Sequence, residues 1–343
     1  MGVFYLNMGC ILLTGGFGYI GSHTATILSE KNLDFVIYDN FSNCKKSVIK
    51  RLEKITKKKI KYVNGDIRDE KKLVKLINKY KVKSVIHFAA LKSVEKSILD
   101  PIEYYENNVG GTISLLSAMK ITGVKKLLFS STAAIYGEPK YLPLDENHPL
   151  KTLNPYGNTK LIVENILEDV FNREDDWSIL CLRYFNPVGS HPSFLIGDDP
   201  RIEKNTNLMP SIIKVVKGIE KYFEVFGNDY DTPDGSGIRD YIHIMDLASA
   251  HVSGVDFLSR KNTFEVFNIG TGYGISVFEF LKTFEGICGS KIPFKISSRR
   301  LGDPSCCYAD PTKAKNTLNW MAKRDLNEMC LSAWNFSNSS LKI

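Results

Sequence analysis

Thr14-Gly15-Gly16-Phe17-Gly18-Tyr19-Ile20-Gly21 decides the fold of this chain. The apolar run Cys10 to Leu13 leads into it and an amphipathic stretch beginning near Ile20 follows, which predicts a strand, a tight glycine turn and a helix. Small residues let backbone N–H groups approach an anion, and the helix aims its positive end at the same point. Gly15, Gly18 and Gly21, with Tyr19 and Ile20 between them, are therefore candidate ligands of a dinucleotide pyrophosphate. Asp39 ends the next apolar run, where a carboxylate accepts both ribose hydroxyls and repels a 2′-phosphate, favouring NAD over NADP.

Outward from that turn, short apolar runs alternate with longer amphipathic stretches. Candidate strands are Cys10 to Leu13, Phe35 to Tyr38, Lys61 to Val63, Ser84 to Phe88, Lys126 to Phe129 and Ser178 to Leu182. Strands rich in Val, Ile and Leu on both faces belong in a parallel sheet covered by helices on each side. The expected architecture is α/β: a Rossmann-type doubly wound sheet over residues 1–185, and a smaller mixed α/β substrate-binding domain over 186–343. Some strands and helices of the second half are expected to return to the first. An irregular segment rich in Gly, Pro, Asp and Asn is expected from Pro187 to about Pro210.

The 343 residues are 43% hydrophobic and 24% charged, an ordinary globular balance with room for two lobes. The formal charge of +7 is spread through lysine-rich amphipathic stretches such as Lys57-Lys58-Lys59, which reads as a solvated surface and not a nucleic-acid site. Seven cysteines without a C-x-x-C pair or a neighbouring His cluster argue against a disulfide framework and against a metal site. No stretch reaches the length of a membrane span, so a cytoplasmic protein without a membrane partner is expected. Residues 1–7 precede the first strand, and are expected to be disordered or to reflect a start site upstream of Met8.

Tyr156 and Lys160 carry the chemistry. They lie on a stretch, Pro155 to Phe171, in which Val163, Ile166, Leu167 and Val170 form a helical apolar stripe, so one turn puts phenol and ammonium on the same face. A free phenol has a pKa of about 10, and a nearby positive charge favours the phenolate needed of a base at neutral pH. Lys160 is expected to supply that charge, and Ser130-Ser131-Thr132 closes the preceding candidate strand beside the pair.

Taken together these residues resemble the extended short-chain dehydrogenase/reductase family, and within it the nucleotide-sugar 4-epimerases, from Ile11 to about Trp334. The resemblance is carried by the glycine turn through His23, Asp39-Asn40, Gly65 to Arg68, His87 to Lys92, Tyr104-Tyr105 with Asn107-Asn108, Tyr136-Gly137, Pro155-Tyr156-Gly157 with Lys160, Leu182 to Gly189, and Arg239 to His243. It implies an isomerase that interconverts UDP-glucose and UDP-galactose by transient oxidation at sugar C4 with retained NAD, in a homodimer. Tyr156, Lys160 and Thr132 are the catalytic residues it implies. On the cofactor side it adds Asn40, Asn43, Asp66, Ile67, Phe88, Ala89, Lys92, Asn107, Ser130 and Tyr184. For the UDP-hexose it implies Lys92, Thr132, Tyr156, Phe185, Asn186, Asn207, Leu208, Val225, Phe226, Arg239, Arg300, Asp303 and Cys307.

Two alternatives are weighed. Related sugar-nucleotide dehydratases follow the central Thr with Asp-Glu, the acid and base of an elimination, whereas Thr132 is followed here by Ala133-Ala134. An inactive NAD-binding sensor would lack the Tyr-Lys pair, which this chain keeps. Departures from the family pattern are Ala90 for a frequent Gly, Cys44 for Ser, and Leu301 for a charged residue. Cys307 stands where bacterial relatives restricted to UDP-glucose and UDP-galactose carry Tyr. The smaller side chain predicts room for a 2-acetamido group, hence activity on UDP-GlcNAc and UDP-GalNAc.

Overall fold

The structure, a computed structural model, describes residues 9–174, 176–201, 207–259 and 262–339. The expectation attached to residues 1–7 lies outside the described residues. The strands are β1 (Cys10–Thr14), β2 (Phe35–Asp39), β3 (Tyr62–Asn64), β4 (Val82–His87), β5 (Lys126–Thr132), β6 (Ser178–Tyr184), β7 (Asn186–Val188), β8 (Phe223–Phe226), β9 (Ile238–His243), β10 (Thr263–Ile269), β11 (Gly274–Ser276), β12 (Phe294–Ser297) and β13 (Cys306–Cys307). The helices are α1 (Tyr19–Glu30), α2 (Ser47–Thr56), α3 (Glu70–Tyr80), α4 (Val94–Leu99), α5 (Pro101–Tyr104), α6 (Gly111–Thr122), α7 (Pro155–Arg173), α8 (Leu208–Val216), α9 (Ile244–Leu258), α10 (Val277–Cys288), α11 (Thr312–Leu318) and α12 (Leu326–Ser339). None of the described helices is long and apolar enough to cross a membrane.

Seven parallel strands form one sheet in the order β3-β2-β1-β4-β5-β6-β10. The winding reverses between β1 and β4, and in such sheets the crevice at that point is where ligands sit. Strand periodicity sorts the core into two layers. Ile11 and Leu13 join Leu28, Leu52 and Leu247 on one side, while Cys10 and Leu12 join Leu73, Leu115 and Val163 on the other. Burial on both faces explains why these strands read as continuous apolar runs. β10 comes from the second half of the chain and extends the large sheet beyond β6.

The remaining strands make smaller sheets: β9 pairs with β7, β11 and β13, and β8 pairs with β12. Their core gathers Ile212 and Ile213 of α8, Phe280 and Phe284 of α10, and Met329 and Cys330 of α12 around Val188, Val225 and Tyr241. This layer stands over the C-terminal ends of the large sheet.

Several boundaries differ from the sequence reading. β1, β2, β5 and β6 each continue to a polar or aromatic residue that periodicity left out: Thr14, Asp39, Thr132 and Tyr184. β4 starts at Val82 and stops at His87, so Phe88 already belongs to the loop. The segment expected to be irregular gives Pro187 and Val188 to β7 and, from Leu208, its end to α8, while positions 202–206 of it lie outside the described residues. Between α5 and α6 the helix widens by one residue per turn over Tyr105–Gly110. Asn108 lies within that widening with its side chain bonded to both N–H and C=O of Leu91 (2.8 and 3.0 Å) and to the Thr159 hydroxyl (3.0 Å). The widening thus coincides with side-chain hydrogen bonds to the loop after β4 and to α7.

Leu12 of β1 is fully buried in the layer between the sheet and α3, α6 and α7, so Leu12→Ala should cost about 2–5 kcal/mol of stability. Urea unfolding checks this, and a loss below about 1 kcal/mol would mean the site collapses around the cavity.

Candidate active site

The glycine turn is shaped by sterics before chemistry. Gly15 has φ +67°, and a Cβ there would lie 2.7 Å from the Ala89 amide nitrogen; one on Gly21 would lie 2.7 Å from the Gly16 Cα. The turn, the start of α1 and the loop after β4 can therefore approach only as glycines. The helix end is uncapped by any side chain, and its first turn holds no acidic residue, so its N–H groups and positive end face the crevice. Asp39 closes the opposite side. Its two carboxylate oxygens accept from the backbone N–H of Phe17 (2.9 Å) and Phe41 (2.8 Å), while burial raises its pKa above the ordinary value.

These groups open on a cleft of about 350 Å³. An uncapped helix end, a cradle that a Cβ would fill and a fixed carboxylate are what the diphosphate and ribose of a dinucleotide require. Every predicted cofactor-side residue lines it except Asp66. The Asp66 carboxylate turns to the Arg68 guanidinium (2.8 and 2.9 Å), which holds its pKa near 2, and its neighbours Gly65 and Ile67 form the wall instead.

Residues that the sequence reading did not assign also line this cleft: Phe17, Arg51, Ile196, Gly197, Asp198, Asp199 and Phe336. Several belong to a roof, residues 189–199. Tyr19 Oη donates to the Gly189 carbonyl (2.7 Å), Arg51 Nη1 to that of Leu195 (3.3 Å) and Ser339 Oγ to that of Phe194 (2.8 Å). The Phe336 ring packs where a Cβ on Gly197 would stand, 2.6 Å away. Contacts made across such sequence separations leave no local pattern to read.

A second cleft of about 1030 Å³ meets the first, and Lys92, Thr132, Tyr156, Tyr184, Phe185 and Asn207 line both. All predicted sugar-nucleotide residues stand on its walls. Arg239 and Asp303 face each other at 3.8 Å, and the Arg300 guanidinium lies 4.2 Å over the Phe226 ring. Cations beside an aromatic face suit a diphosphate and a flat base. Ala133 and Ala134 line the same cleft with methyl groups.

At the junction, α7 starts with Asn154 capping the Gly157 amide (2.8 Å) and Pro155 in its first turn, which aims Tyr156 and Lys160 back at the end of β5. Burial raises the Tyr156 phenol above its ordinary value, against the opposing pull of the Thr132 hydroxyl. Lys160 Nζ donates to the Ser130 carbonyl (2.6 Å) and lies 4.7 Å from the Phe129 ring centroid. Burial brings its pKa down to about 7, against the opposing pull of Glu164 and Cys181. The expectation of an acidic phenol is corrected in direction: desolvation penalises both charges, and the net shift of Tyr156 is upward.

Two further groups act beside the junction. Tyr184 Oη bonds His251 Nε2, and His251 Nδ1 donates to the Leu247 carbonyl (2.8 Å), which fixes the tautomer so that Nε2 accepts. Burial lowers His251 to about 3, keeping it neutral. Glu164, one turn beyond Lys160, is buried too. A carboxylate at helical spacing inside an apolar stripe was the available sequence signal for it.

Comparison with known proteins agrees with this geometry. The model of the family described as GDP-mannose 4,6 dehydratase matches residues 12–332. A UDP-glucose 4-epimerase of Yersinia enterocolitica is 50% identical over 325 residues, 94% of this chain and 96% of that one. The crystal structure of UDP-glucose 4-epimerase from Bifidobacterium longum in complex with NAD+ and UDP superposes with a TM-score of 0.93 at 45% identity, covering 96% and 98% of the two chains. The UDP-Glc/GlcNAc 4-epimerase from Campylobacter jejuni superposes with a TM-score of 0.83 at 35% identity, covering 96% and 99%. A glycine cradle, a Tyr-Lys pair at the meeting of two clefts and this likeness over nearly the whole length converge, and the chain belongs to the GDP-mannose 4,6 dehydratase family of extended short-chain dehydrogenases/reductases and, within it, to the UDP-glucose 4-epimerases.

Proposed function

We infer that this enzyme interconverts UDP-glucose and UDP-galactose by oxidation and re-reduction at sugar C4, with NAD as a retained cofactor. The observation that carries the reading is Tyr156 beside Thr132 where the two clefts meet. The glycine turn and Asp39 would hold the diphosphate and adenosine ribose of NAD, and Lys160, Ser130 and Tyr184 its nicotinamide half. When bound, NAD supplies the acceptor that takes hydrogen from C4 and returns it to the opposite face.

Tyr156 removes the proton of the C4 hydroxyl while Thr132 holds that oxygen, and returns the proton when the ketone is reduced. Lys160 contributes a positive charge under the reacting groups, favouring phenolate over phenol. Arg239 and Arg300 clamp the diphosphate, and Phe226 and Val225 support the uracil end. The wide second cleft leaves room for the ketone to present its other face. Ala133 and Ala134 can neither donate nor accept a proton, which removes the elimination route of a dehydratase. The seven thiols are free, in keeping with a reducing cytoplasm.

Cys307, on the wall of the sugar-nucleotide cleft, leaves space for a 2-acetamido group, and the Campylobacter neighbour named for GlcNAc supports extending the substrates to UDP-GlcNAc and UDP-GalNAc. A homodimer is part of the proposal. Leu99, Ile102 and Ile113 are 78%, 70% and 51% exposed along α4 to α6, an apolar stripe suited to a second copy of the chain.

Conversion of UDP-galactose to UDP-glucose by the purified protein, without added NAD, tests the activity. Tyr156→Phe should bind NAD yet lose at least about 100-fold in kcat; near-normal turnover would remove the base. Cys307→Tyr should suppress UDP-GlcNAc turnover while sparing UDP-glucose, and equal loss on both would reject the size argument. Ile113→Asp should shift sedimentation from dimer to monomer, so an unchanged profile would place the interface elsewhere.

A further inference from the structure

Behind the reacting groups lies an ion pair that the mechanism above does not use. The side chains of Glu164 (α7) and Arg183 (β6) are each 5% exposed and meet in a two-point contact, Nη2 to Oε2 at 2.7 Å and Nε to Oε1 at 3.2 Å. Ser131 Oγ donates to Glu164 Oε1. On the other side Arg183 Nη1 donates to Tyr136 Oη (2.9 Å), which donates to Asn268 Oδ1 (2.7 Å). A buried pair is weak evidence for stability, since desolvation offsets its attraction and apolar residues of similar volume do as well. Its position is more telling. Ser131 precedes Thr132, Arg183 precedes Tyr184, and Glu164 follows Lys160 by one turn.

We propose that Glu164 is a positioning residue for the reaction, holding Lys160 as an ammonium and, through Ser131, fixing Thr132 against Tyr156. Arg183 anchors the anion from its far side. The groups facing Lys160 are Glu164 on its own helix, His87 of β4, the Ser130 carbonyl and Phe129 ring of β5, and Cys181 of β6. Burial keeps His87 and the Cys181 thiol neutral. Among the described residues that leaves Glu164 as the full negative charge acting on the amine. Lys160 and Glu164 stand one helical turn apart, with Cβ atoms about 6 Å from each other, and an opposite charge at that spacing favours the ammonium even though each head group bonds elsewhere.

The proposal rests on the epimerase reading and is tested on the NAD-loaded enzyme, by kcat and KM for UDP-galactose across pH. Removing a fixed negative charge lowers the proton affinity of every group near it, so Glu164→Gln should move the whole kcat profile about one pH unit lower, with KM changed less than about twofold. Ser131→Ala removes a donor that partly neutralises the anion and should move the profile the other way. A role in stability alone would lower the melting temperature and leave both profiles on that of the unmodified enzyme, which overturns the proposal. If Glu164→Gln does not fold, Ser131→Ala decides: an upward shift supports it and no shift overturns it. Absence of turnover by the unmodified enzyme would count instead against the epimerase reading.

Discussion

Parallel register is the constraint on which the site depends. Thr14 pairs with His87, His87 with Phe129, Thr132 with Tyr184 and Tyr184 with Ile269, so β1 and β4 end together and β5, β6 and β10 end together three residues further along. A slip of one residue would turn every side chain on a strand to the opposite face. The glycine turn, the Lys92 loop, Thr132 and Tyr184 would then no longer border a common space. Two-sided burial keeps that register, because each strand must satisfy both apolar layers at once.

Around that space the dominant force is desolvation. It draws Lys160 toward neutrality, raises the phenol of Tyr156 and the carboxyl of Asp39, and keeps His87 and His251 uncharged. Each buried carboxylate there is held by donors: Asp39 by two backbone amides, Glu164 by Arg183 and Ser131. Such a site is poised, since an added charge is screened less there than in water.

The features legible in the sequence were those with local spacing. The glycine turn, the Tyr-Lys pair one turn apart and the alternation of strand and helix are all set within a few residues. Asp66 took its place from the resemblance, and composition does not show that Arg68, two residues on, bonds its carboxylate. Glu164 with Arg183, Tyr184 with His251 and Asn108 with Leu91 are contacts between distant segments, which no period encodes. The sign of the effect on Tyr156 failed for a related reason: spacing tells that two charges share a face, and only burial tells what it costs to keep them.

The roof formed by residues 189–199 ties the first helix, the second helix and the last helix of the chain across one nucleotide-binding crevice. Opening the crevice on that side means parting elements from both ends of the polypeptide, so the two termini share in keeping a bound coenzyme in place.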